Sequence, residues 1–371
     1  MKILYVTTVS GTINAFLTHH IKMLIDLGHK VDIACSVTRP VDSKLLEYGC
    51  NVYDVGFSRS PLSERNVNGF KKLKKVIING EYDLVHTHTP VASTITRLIC
   101  KNIKTIKVVY TAHGFHFFKG APLKNWLIYY PIEKKLSKYT DVLITINKED
   151  YNRAKEKLDA KFVKYIPGIG LNIEEIKKNG VVKKTKRKEI QISENAFVLL
   201  SVGELNRNKN HEVVIKAIAQ LNDPEIQYVI CGVGPLKQHL KNLISELGLT
   251  KQVHLLGLRK DIIEICKSAD IFVFPSFREG LSVALMESMA SGLPVLCSDI
   301  RGNNDLIIPK HGGLYAHPKD IEEWAENIHI LKNDKSKRIK FGSFNSEYIN
   351  EFSNTNVIKE LQEVYTELFE V

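Results

Sequence analysis

Short apolar runs, rich in β-branched residues, alternate with longer amphipathic stretches along the first half of the chain. The runs are apolar throughout, which is typical of strands covered on both faces. They lie at Ile3–Val6, Val31–Cys35, Val52–Val55, Leu84–His86, Val108–Thr111 and Val142–Thr145. Strands that alternate with helices predict a parallel, doubly wound sheet of the α/β class.

Two of the amphipathic stretches have recognisable ends. Phe16–Leu27 is a predicted helix that Gly28 stops, and Phe70–Ile78 is another that ends at Asn79-Gly80. Glycine ends helices because it adopts the left-handed backbone conformation of the residue after the last turn. Both helices fit between predicted strands, as the doubly wound arrangement requires.

The strand pattern restarts in the second half of the chain. The second series lies at Val198–Val202, Tyr228–Cys231, Val253–Leu256, Ile271–Phe274 and Val295–Cys297. Pro167 and Gly168, between the two series, predict a hinge. The polar, basic stretch Lys177–Lys188 that follows predicts a surface loop. We therefore expect two Rossmann-like domains, at residues 1–166 and 167–354, that face each other across a cleft and bind a ligand at the ends of their strands.

The C-terminus predicts one more helix. Apolar side chains recur there at helical spacing, at Val357, Leu361, Val364, Tyr365 and Leu368. Thr355 is the predicted N-cap of this helix. An amphipathic helix needs an apolar surface to cover, so we expect residues 355–371 to pack back on the N-terminal domain.

Length and composition narrow the class of protein. The chain has 371 residues, which suits two α/β domains, and a net charge of +11. No nucleic-acid motif accompanies that charge, so it indicates phosphates, lipid head groups or a solvated surface. No apolar run approaches the roughly 20 residues of a membrane helix. Six scattered cysteines predict reduced core thiols, and the first residues lack a signal-peptide pattern; we expect a cytoplasmic protein.

The segment Pro275–Pro294 carries the most chemical information. It follows a predicted strand, and a loop with Glu279 opens a helix near Ser282. Free backbone amides at such a helix start bind phosphate. Here they belong to Gly280, Leu281, Ser282 and Val283. Glu287 lies about two helical turns from Glu279, and its carboxylate can accept two hydrogen bonds from vicinal hydroxyls such as those of a ribose.

Other polar side chains follow predicted strands. Gly203–Asn210 contains Arg207 and Lys209, and Leu256–Arg259 ends another strand. In the first half His113 lies between a strand end and Gly114, which makes it a candidate for ligand contact.

Two further histidines and one glycine in the first half lie on or after predicted strands. His86 and His88 are two residues apart on one strand; we expect their rings on opposite faces, in structural roles and without a metal ion. Gly11 follows the first strand.

The paired glutamates, within Pro-Ser…Glu-Gly-Leu-Ser…Glu…Met-Ala-Ser-Gly-Leu-Pro-Val, resemble the signature of retaining family 4 glycosyltransferases, which have the two-domain GT-B fold. The resemblance covers nearly the whole chain and is densest in the second half. Through Thr111–Phe117 and Gly203–Asn206 the chain is most similar to the members that build bacterial capsule, exopolysaccharide or O-antigen units.

The resemblance implies roles for the candidate residues. Lys209 and the helix-start amides would hold the diphosphate of a UDP-sugar, and Glu287 its ribose. Glu279 and His113 would contact the transferred sugar. Arg259 would line the base pocket, and Gly11 would contact the donor from the loop where the family often has a pair of glycines after its first strand. This chain has Glu204 where the family has an arginine, so Arg207 is the candidate second cation. The reaction would retain anomeric configuration and use neither a metal ion nor another cofactor.

The acceptor implied by the resemblance is a lipid-linked saccharide, so we expect peripheral attachment to the inner face of the cell membrane. Residues 115–136 mix aromatics with lysines, and Lys71, Lys72, Lys74 and Lys75 form a second basic cluster. Alternatively, these aromatics fill the core and the lysines are solvated. Two other functions also stay open: a nucleotide-sugar epimerase or hydrolase on the same fold, and a non-catalytic nucleotide-sugar-binding protein.

Overall fold

The computed structural model describes residues 1–370 and consists of two compact units. The first comprises Met1–Gly170 and the C-terminal segment from Asn354, and the second comprises Leu171–Ser353. Each unit has its own parallel sheet with helices on both faces, so the predicted doubly wound α/β class is confirmed. Within the described residues, no helix is long and apolar enough to cross a bilayer.

The first unit is built on a seven-stranded sheet with the order β3-β2-β1-β4-β5-β6-β7. Its strands are β1 (Lys2–Val9), β2 (Lys30–Ser36), β3 (Val52–Asp54), β4 (Leu84–His88), β5 (Lys107–Ala112), β6 (Val142–Thr145) and β7 (Phe162–Tyr165). Its first seven α-helices are α1 (Ser10–Thr12), α2 (Thr18–Asp26), α3 (Ser43–Glu47), α4 (Arg65–Gly80), α5 (Pro90–Cys100), α6 (Leu123–Ser137) and α7 (Lys148–Lys157). All six predicted strands of this half are present. The seventh, β7, lies at the sheet edge, where Phe162 is exposed and the apolar signal is weak.

The predicted helix Phe16–Leu27 begins differently from the expectation. Ile13–Leu17 forms a π-helical turn directly after α1, and α2 begins only at Thr18. The C-terminal end is as predicted, because Gly28 follows with a φ of 83° and donates its amide to Ile25. The π-helical turn lies near the carboxyl end of β1, directly after α1, which contains Gly11.

The second unit repeats the architecture with six strands in the order β10-β9-β8-β11-β12-β13. Its strands are β8 (Phe197–Val202), β9 (Ile226–Cys231), β10 (Val253–Gly257), β11 (Ile271–Phe274), β12 (Val295–Ser298) and β13 (Gly313–Ala316). Its helices are α8 (Ile173–Lys178), α9 (Lys183–Glu189), α10 (His211–Leu221), α11 (Lys237–Glu246), α12 (Ile262–Ser268), α13 (Val283–Ala290), α14 (Asn303–Leu306), α15 (Ile321–Asn333), α16 (Lys335–Tyr348) and the 3-10 turn Ile349–Phe352. Only β13 was absent from the predicted strand series.

The basic stretch Lys177–Lys188 is not a surface loop, and this expectation was wrong. The end of α8 and most of α9 occupy it, and Lys186 and Arg187 are buried. Lys186 pairs with Asp261 and Arg187 pairs with Asp270, at 3.0 and 2.7 Å. Cations are buried when they are paired. These two partners lie more than 70 residues away in sequence, so the local pattern of basic residues could not predict the pairing.

The C-terminal helix α17 (Asn354–Glu370) packs on the first unit, with the predicted apolar positions in the core beside β1 and β2. Thr355 is not the N-cap, because it is the second residue of the helix. Val371, the last residue of the predicted segment, lies outside the described residues. All six cysteines are buried free thiols, which confirms the prediction of core thiols.

Candidate functional site

The two loops that carry most candidate residues of the second unit follow neighbouring strands. β8 pairs with β11 at the point where the order of the sheet reverses, and Gly203–Asn210 and Pro275–Ser282 follow these strands. Ligands bind at such a reversal, beyond the carboxyl ends of the strands. The loops are held together, since Phe277 donates its amide to Asn208 O at 2.8 Å and the Asn208 side chain donates to Arg278 O at 2.9 Å.

This arrangement brings two of the predicted residues into direct contact. Lys209 Nζ donates to Glu279 Oε1 at 2.7 Å, and both side chains are largely buried. The ammonium also lies 4.5 Å from the centre of the Phe274 ring, and Asn206 Oδ1 accepts from the Lys209 amide at 3.0 Å. The cation is therefore fixed in position by groups on both loops, at the edge of the sheet where a phosphate would approach.

The helix start predicted from the sequence is present. Ser282 is the N-cap of α13, and its hydroxyl accepts from the Leu285 amide. Four amides just before and at the first turn have no hydrogen-bond acceptor within residues 1–370; they are those of Gly280, Leu281, Ser282 and Val283. Together with the positive end of the helix dipole, these donors give the turn a positive potential next to the Lys209–Glu279 pair.

Glu287 lies one helical turn further along α13 and is partly buried. Burial raises the pKa of this carboxyl to about 7, because the low-polarity surroundings disfavour the charged form. A carboxyl that titrates near neutrality can change its hydrogen-bonding character within the physiological pH range. Glu279, by contrast, forms an ion pair with the Lys209 ammonium.

The two candidate arginines of this unit occupy different environments. Arg207 is exposed on the loop after β8, and so is Glu204, whose carboxylate accepts from Asn206 Nδ2 at 2.9 Å. Arg259 binds Asp261 through two nitrogens, at 2.8 and 2.6 Å, and Glu189 at 3.1 Å. The structure thus places Arg259 in an acidic cluster, not in contact with Lys209 or Glu279.

A third loop of the second unit, missed by the sequence analysis, also borders the turn. Arg301 follows β12, and its Nε donates to Glu279 O at 3.3 Å. At Gly302, with a φ of 80°, an added Cβ would lie 1.7 Å from Gly280 O. The local signal was an Arg-Gly pair after a strand. The contact itself depends on β12 lying next to β11, which the sequence does not give.

In the first unit, the candidate His113 follows β5 and belongs to a chain of aromatic side chains. His88 Nδ1 and His113 Nε2 are 3.1 Å apart, and the rings of His86 and His88 stack at 4.2 Å. His86 contacts the hydroxyl of Tyr365 on α17 at 2.5 Å. Burial lowers the pKa of His113 to about 4, so the imidazole is neutral at pH 7.

The expectation that His86 and His88 point to opposite faces was wrong. Side chains alternate along a strand with a period of two, so residues i and i+2 share a face, as the stacked rings show. Among the described residues no group of three or more metal-ligating side chains is present. The stacked pair positions His113 through hydrogen bonding.

Gly11 lies in α1, at the carboxyl end of β1. A Cβ at this position would meet Arg39 Nη2 at 3.3 Å, so the glycine permits close approach of the Arg39 guanidinium. The neighbouring Ser10 hydroxyl donates to Arg39 O at 2.8 Å, which holds the loop after β2 against this turn. Gly11 therefore lies next to a cation at this end of the sheet.

Known proteins resemble the chain over both units. Residues 2–147 match the family described as glycosyl transferase 4-like, and residues 182–347 match glycosyl transferases group 1. EpsD of Bacillus subtilis (strain 168), a protein named as a glycosyltransferase, is 36% identical, over 98% of this chain and 96% of EpsD. An Escherichia coli protein is 29% identical, over 82% of each chain; its name is UDP-Gal:alpha-D-GlcNAc-diphosphoundecaprenol alpha-1,3-galactosyltransferase.

Solved structures show the same architecture. Anabaena HepE in complex with UDP and glucose has a TM-score of 0.80 and 19% identity, over 99% of this chain and 100% of HepE. The likeness confirms the predicted GT-B fold class with two Rossmann-like domains.

Proposed function

This chain belongs to the glycosyltransferases, the family of EpsD, and on that premise we propose that it transfers a hexosyl or N-acetylhexosaminyl residue from a UDP-sugar with retention of configuration. The acceptor is a lipid-linked saccharide, a precursor of a bacterial exopolysaccharide or capsule. The observation that carries the proposal is the Lys209–Glu279 pair next to the four helix-start amides at the reversal of the second sheet.

The chemistry follows from the charge that develops in such a reaction. When the bond between the sugar and the diphosphate breaks, negative charge grows on the leaving β-phosphate. Lys209 and the amides of Gly280–Val283 supply fixed positive potential at one place, which stabilises that charge without a metal ion. Glu279, fixed by Lys209, accepts hydrogen bonds from sugar hydroxyls, and Glu287 accepts them from the ribose. The neutral His113 contacts the transferred sugar.

Retention is supported by the Escherichia coli relative, whose name specifies an alpha linkage made from UDP-Gal. An α-linked donor gives an α-linked product when the acceptor attacks the face that the diphosphate leaves. We propose that the leaving phosphate itself accepts the proton of the acceptor hydroxyl. The same relative's name gives a diphosphoundecaprenol acceptor, which supports the lipid-linked class proposed here.

Product analysis tests the stereochemistry and the metal independence together. With α-linked UDP-sugars and a short-chain lipid diphosphate saccharide, we expect an early product whose anomeric proton couples as an α-linkage, and a rate unchanged by EDTA. A β-linked product or a rate abolished by EDTA contradicts the mechanism. Epimerised donor, hydrolysis alone, or saturable binding without turnover would instead favour the epimerase, the hydrolase or the binding protein.

We further propose that the first unit attaches to anionic membrane surfaces. All four lysines of the basic cluster, Lys71, Lys72, Lys74 and Lys75, are exposed on α4. Residues 115–136 divide into two parts. Phe115 and Phe117 are buried in the core, whereas Leu123 and Leu127 of α6 are 73% and 69% exposed. Exposed aliphatic side chains close to lysines suit the interface of an anionic bilayer.

Flotation with liposomes measures this attachment. We expect binding to vesicles that contain anionic lipid and release as salt rises, because each lysine near an anionic surface contributes about 1 kcal/mol. Replacing the four α4 lysines by serine weakens binding at least tenfold. A matched control replaces four exposed lysines of the second unit by serine, namely Lys237, Lys241, Lys251 and Lys319. Equal flotation of both variants, or equal binding to neutral vesicles, would contradict the proposal.

A further inference from the structure

A groove with a volume of about 620 Å³ lies in the first unit, between α4, α5 and α6. Its walls are apolar. They consist of Val67 and Phe70 from α4, Val91 and Ile95 from α5, and Tyr129 and Ile132 from α6. Val67 is 60% exposed and Ile132 is 45% exposed, and Leu62 at the entrance is 96% exposed. Exposed apolar side chains that gather around one concave surface indicate an apolar ligand.

One of the two acidic residues that line the groove is neutralised by an arginine of the protein. Glu133 of α6 lies against the floor and receives two hydrogen bonds from the Arg97 guanidinium, at 2.5 and 3.1 Å. The guanidinium is fully buried and stacks over the Tyr110 ring at 4.4 Å. The floor therefore offers no free charge to a ligand, and a sugar would find few polar partners along these walls.

The helices around the groove carry a strong positive charge. α4 contains Arg65 and the four lysines of the basic cluster and no acidic residue, and α6 contains Lys124, Lys134 and Lys135 against the paired Glu133. Lys71 lines the groove directly. Glu64 is the one unpaired acid among the described lining residues, so cations outnumber free acids on the helices that form the walls. An apolar cavity between cationic helices is complementary to a hydrocarbon chain with an anionic head group.

The segment that follows the candidate His113 forms part of the groove. Gly114, Phe115 and His116 line the groove, and they follow His113 directly in the chain. A ligand in the groove therefore contacts the segment that continues from the residue assigned to sugar contact.

We propose that this groove binds the hydrocarbon chain of the lipid-linked acceptor. The chain lies against the walls formed by α4, α5 and α6, and the diphosphate lies at the lysines of α4. The inference rests on the proposed acceptor class. It adds a site within the protein for the part of the acceptor that does not react, separate from attachment to the membrane surface. Binding energy from such remote groups helps to hold the reacting hydroxyl in place.

Binding of isoprenyl diphosphates tests the groove without any transferase activity. The probes are geranyl, farnesyl and geranylgeranyl diphosphate, below their micellar concentrations and without nucleotide sugar, measured by calorimetry. Because a fully buried methylene strengthens binding roughly fourfold, we expect at least a tenfold gain in affinity for each added isoprene unit until the groove is full. Inorganic diphosphate binds far more weakly. Farnesol binds more weakly than farnesyl diphosphate and does not respond to Lys71→Ser.

A substitution that fills the groove provides the matched comparison. Thr94 of α5 lines the groove and is partly buried, so Thr94→Trp places an indole where the chain would lie. We expect this variant to lose the dependence of affinity on chain length. Leu98→Trp, one turn further along α5 and outside the lining, should keep this dependence.

A benzophenone-bearing isoprenyl diphosphate, cross-linked to the unaltered protein, locates the site independently. It should label peptides from α4, α5 or α6, and it reports on the site even if Thr94→Trp fails to fold.

The proposal is overturned if the affinity of the unaltered protein does not depend on chain length, if Thr94→Trp and Leu98→Trp behave alike, or if cross-links fall in the second unit. Equal affinity for dodecyl sulfate and farnesyl diphosphate would also overturn it, because the groove would then be a general detergent site. None of these measurements uses a sugar donor. Failure of the transferase assay with intact chain-length dependence would contradict the proposed function and leave the groove as a lipid site.

Discussion

Replacing Lys209 by methionine lowers kcat for sugar transfer by about 100- to 1,000-fold, the effect expected when one fixed donor to a developing oxyanion is removed. Methionine keeps most of the length of the side chain and its contact with the Phe274 ring but removes the charge. The substitution also leaves the Glu279 carboxylate without its 2.7 Å partner, so the sugar-binding group loses its fixed orientation. Initial rates at saturating UDP-sugar measure the effect.

Lys216→Met is the matched control for this experiment. Lys216 is partly exposed on α10 and forms an ion pair with Glu212, one helical turn earlier. Such surface pairs contribute little, so we expect its kcat to stay within about twofold of the unaltered protein. The melting temperature of both variants should be measured alongside. Full activity of Lys209→Met would remove this lysine from the mechanism, and an equal loss in Lys216→Met would indicate a general effect on folding.

The contact between Lys209 and Glu279 illustrates what the sequence could predict. Each residue follows a strand whose apolar run is unmistakable, and parallel strands place the loops that follow them at one edge. A restart of the strand pattern also predicts which strands of the two units correspond. The proximity of the two loops can therefore be predicted from the sequence. The ion pair between Lys209 and Glu279, at 2.7 Å, is seen only in the structure.

Contacts between segments that are distant in the chain could not be predicted from local sequence patterns. Arg301 borders the site because β12 lies next to β11, and the buried Lys186 pairs with the distant Asp261 and Glu264 as well as with the nearby Glu189. A local pattern of basic residues looks the same whether the side chains are solvated or paired. The stacking of His86 and His88, by contrast, follows from the local pattern alone, because residues two apart on a strand share a face.

The affinity for UDP-glucose should increase as pH rises from 6 to 8 and level off above about pH 8, because Glu287 has a pKa raised to about 7 by burial. Below the pKa of Glu287 the carboxyl is protonated and loses one acceptor oxygen and its charge, so it holds two ribose hydroxyls poorly. Above this pKa the carboxylate accepts hydrogen bonds from both ribose hydroxyls. Hydrogen bonds to a charged group are worth about 1.5–3 kcal/mol, which predicts roughly tenfold tighter binding across this range.

Stability of the ligand-free protein should change in the opposite direction. The folded-state pKa of Glu287 lies above the unfolded value, so the folded protein binds the extra proton and loses this part of its stability as pH rises from about 4.5 through 7. UDP-glucose, by binding the ionised form, should release a proton. Calorimetry at pH 6.5 in two buffers of different ionisation enthalpy measures that release.

Glu287→Gln separates this carboxyl from every other titrating group. The amide keeps the shape of the side chain but has no ionisation, so we expect flat affinity between pH 6 and 8 and no proton release. Because the pKa of His113 is lowered to about 4, that imidazole stays neutral across the same range and does not contribute. UDP-glucose is preferred to UDP as the probe, because the terminal phosphate of UDP titrates near pH 6. Identical pH profiles for the glutamine variant and the unaltered protein would show that Glu287 does not hold the nucleotide.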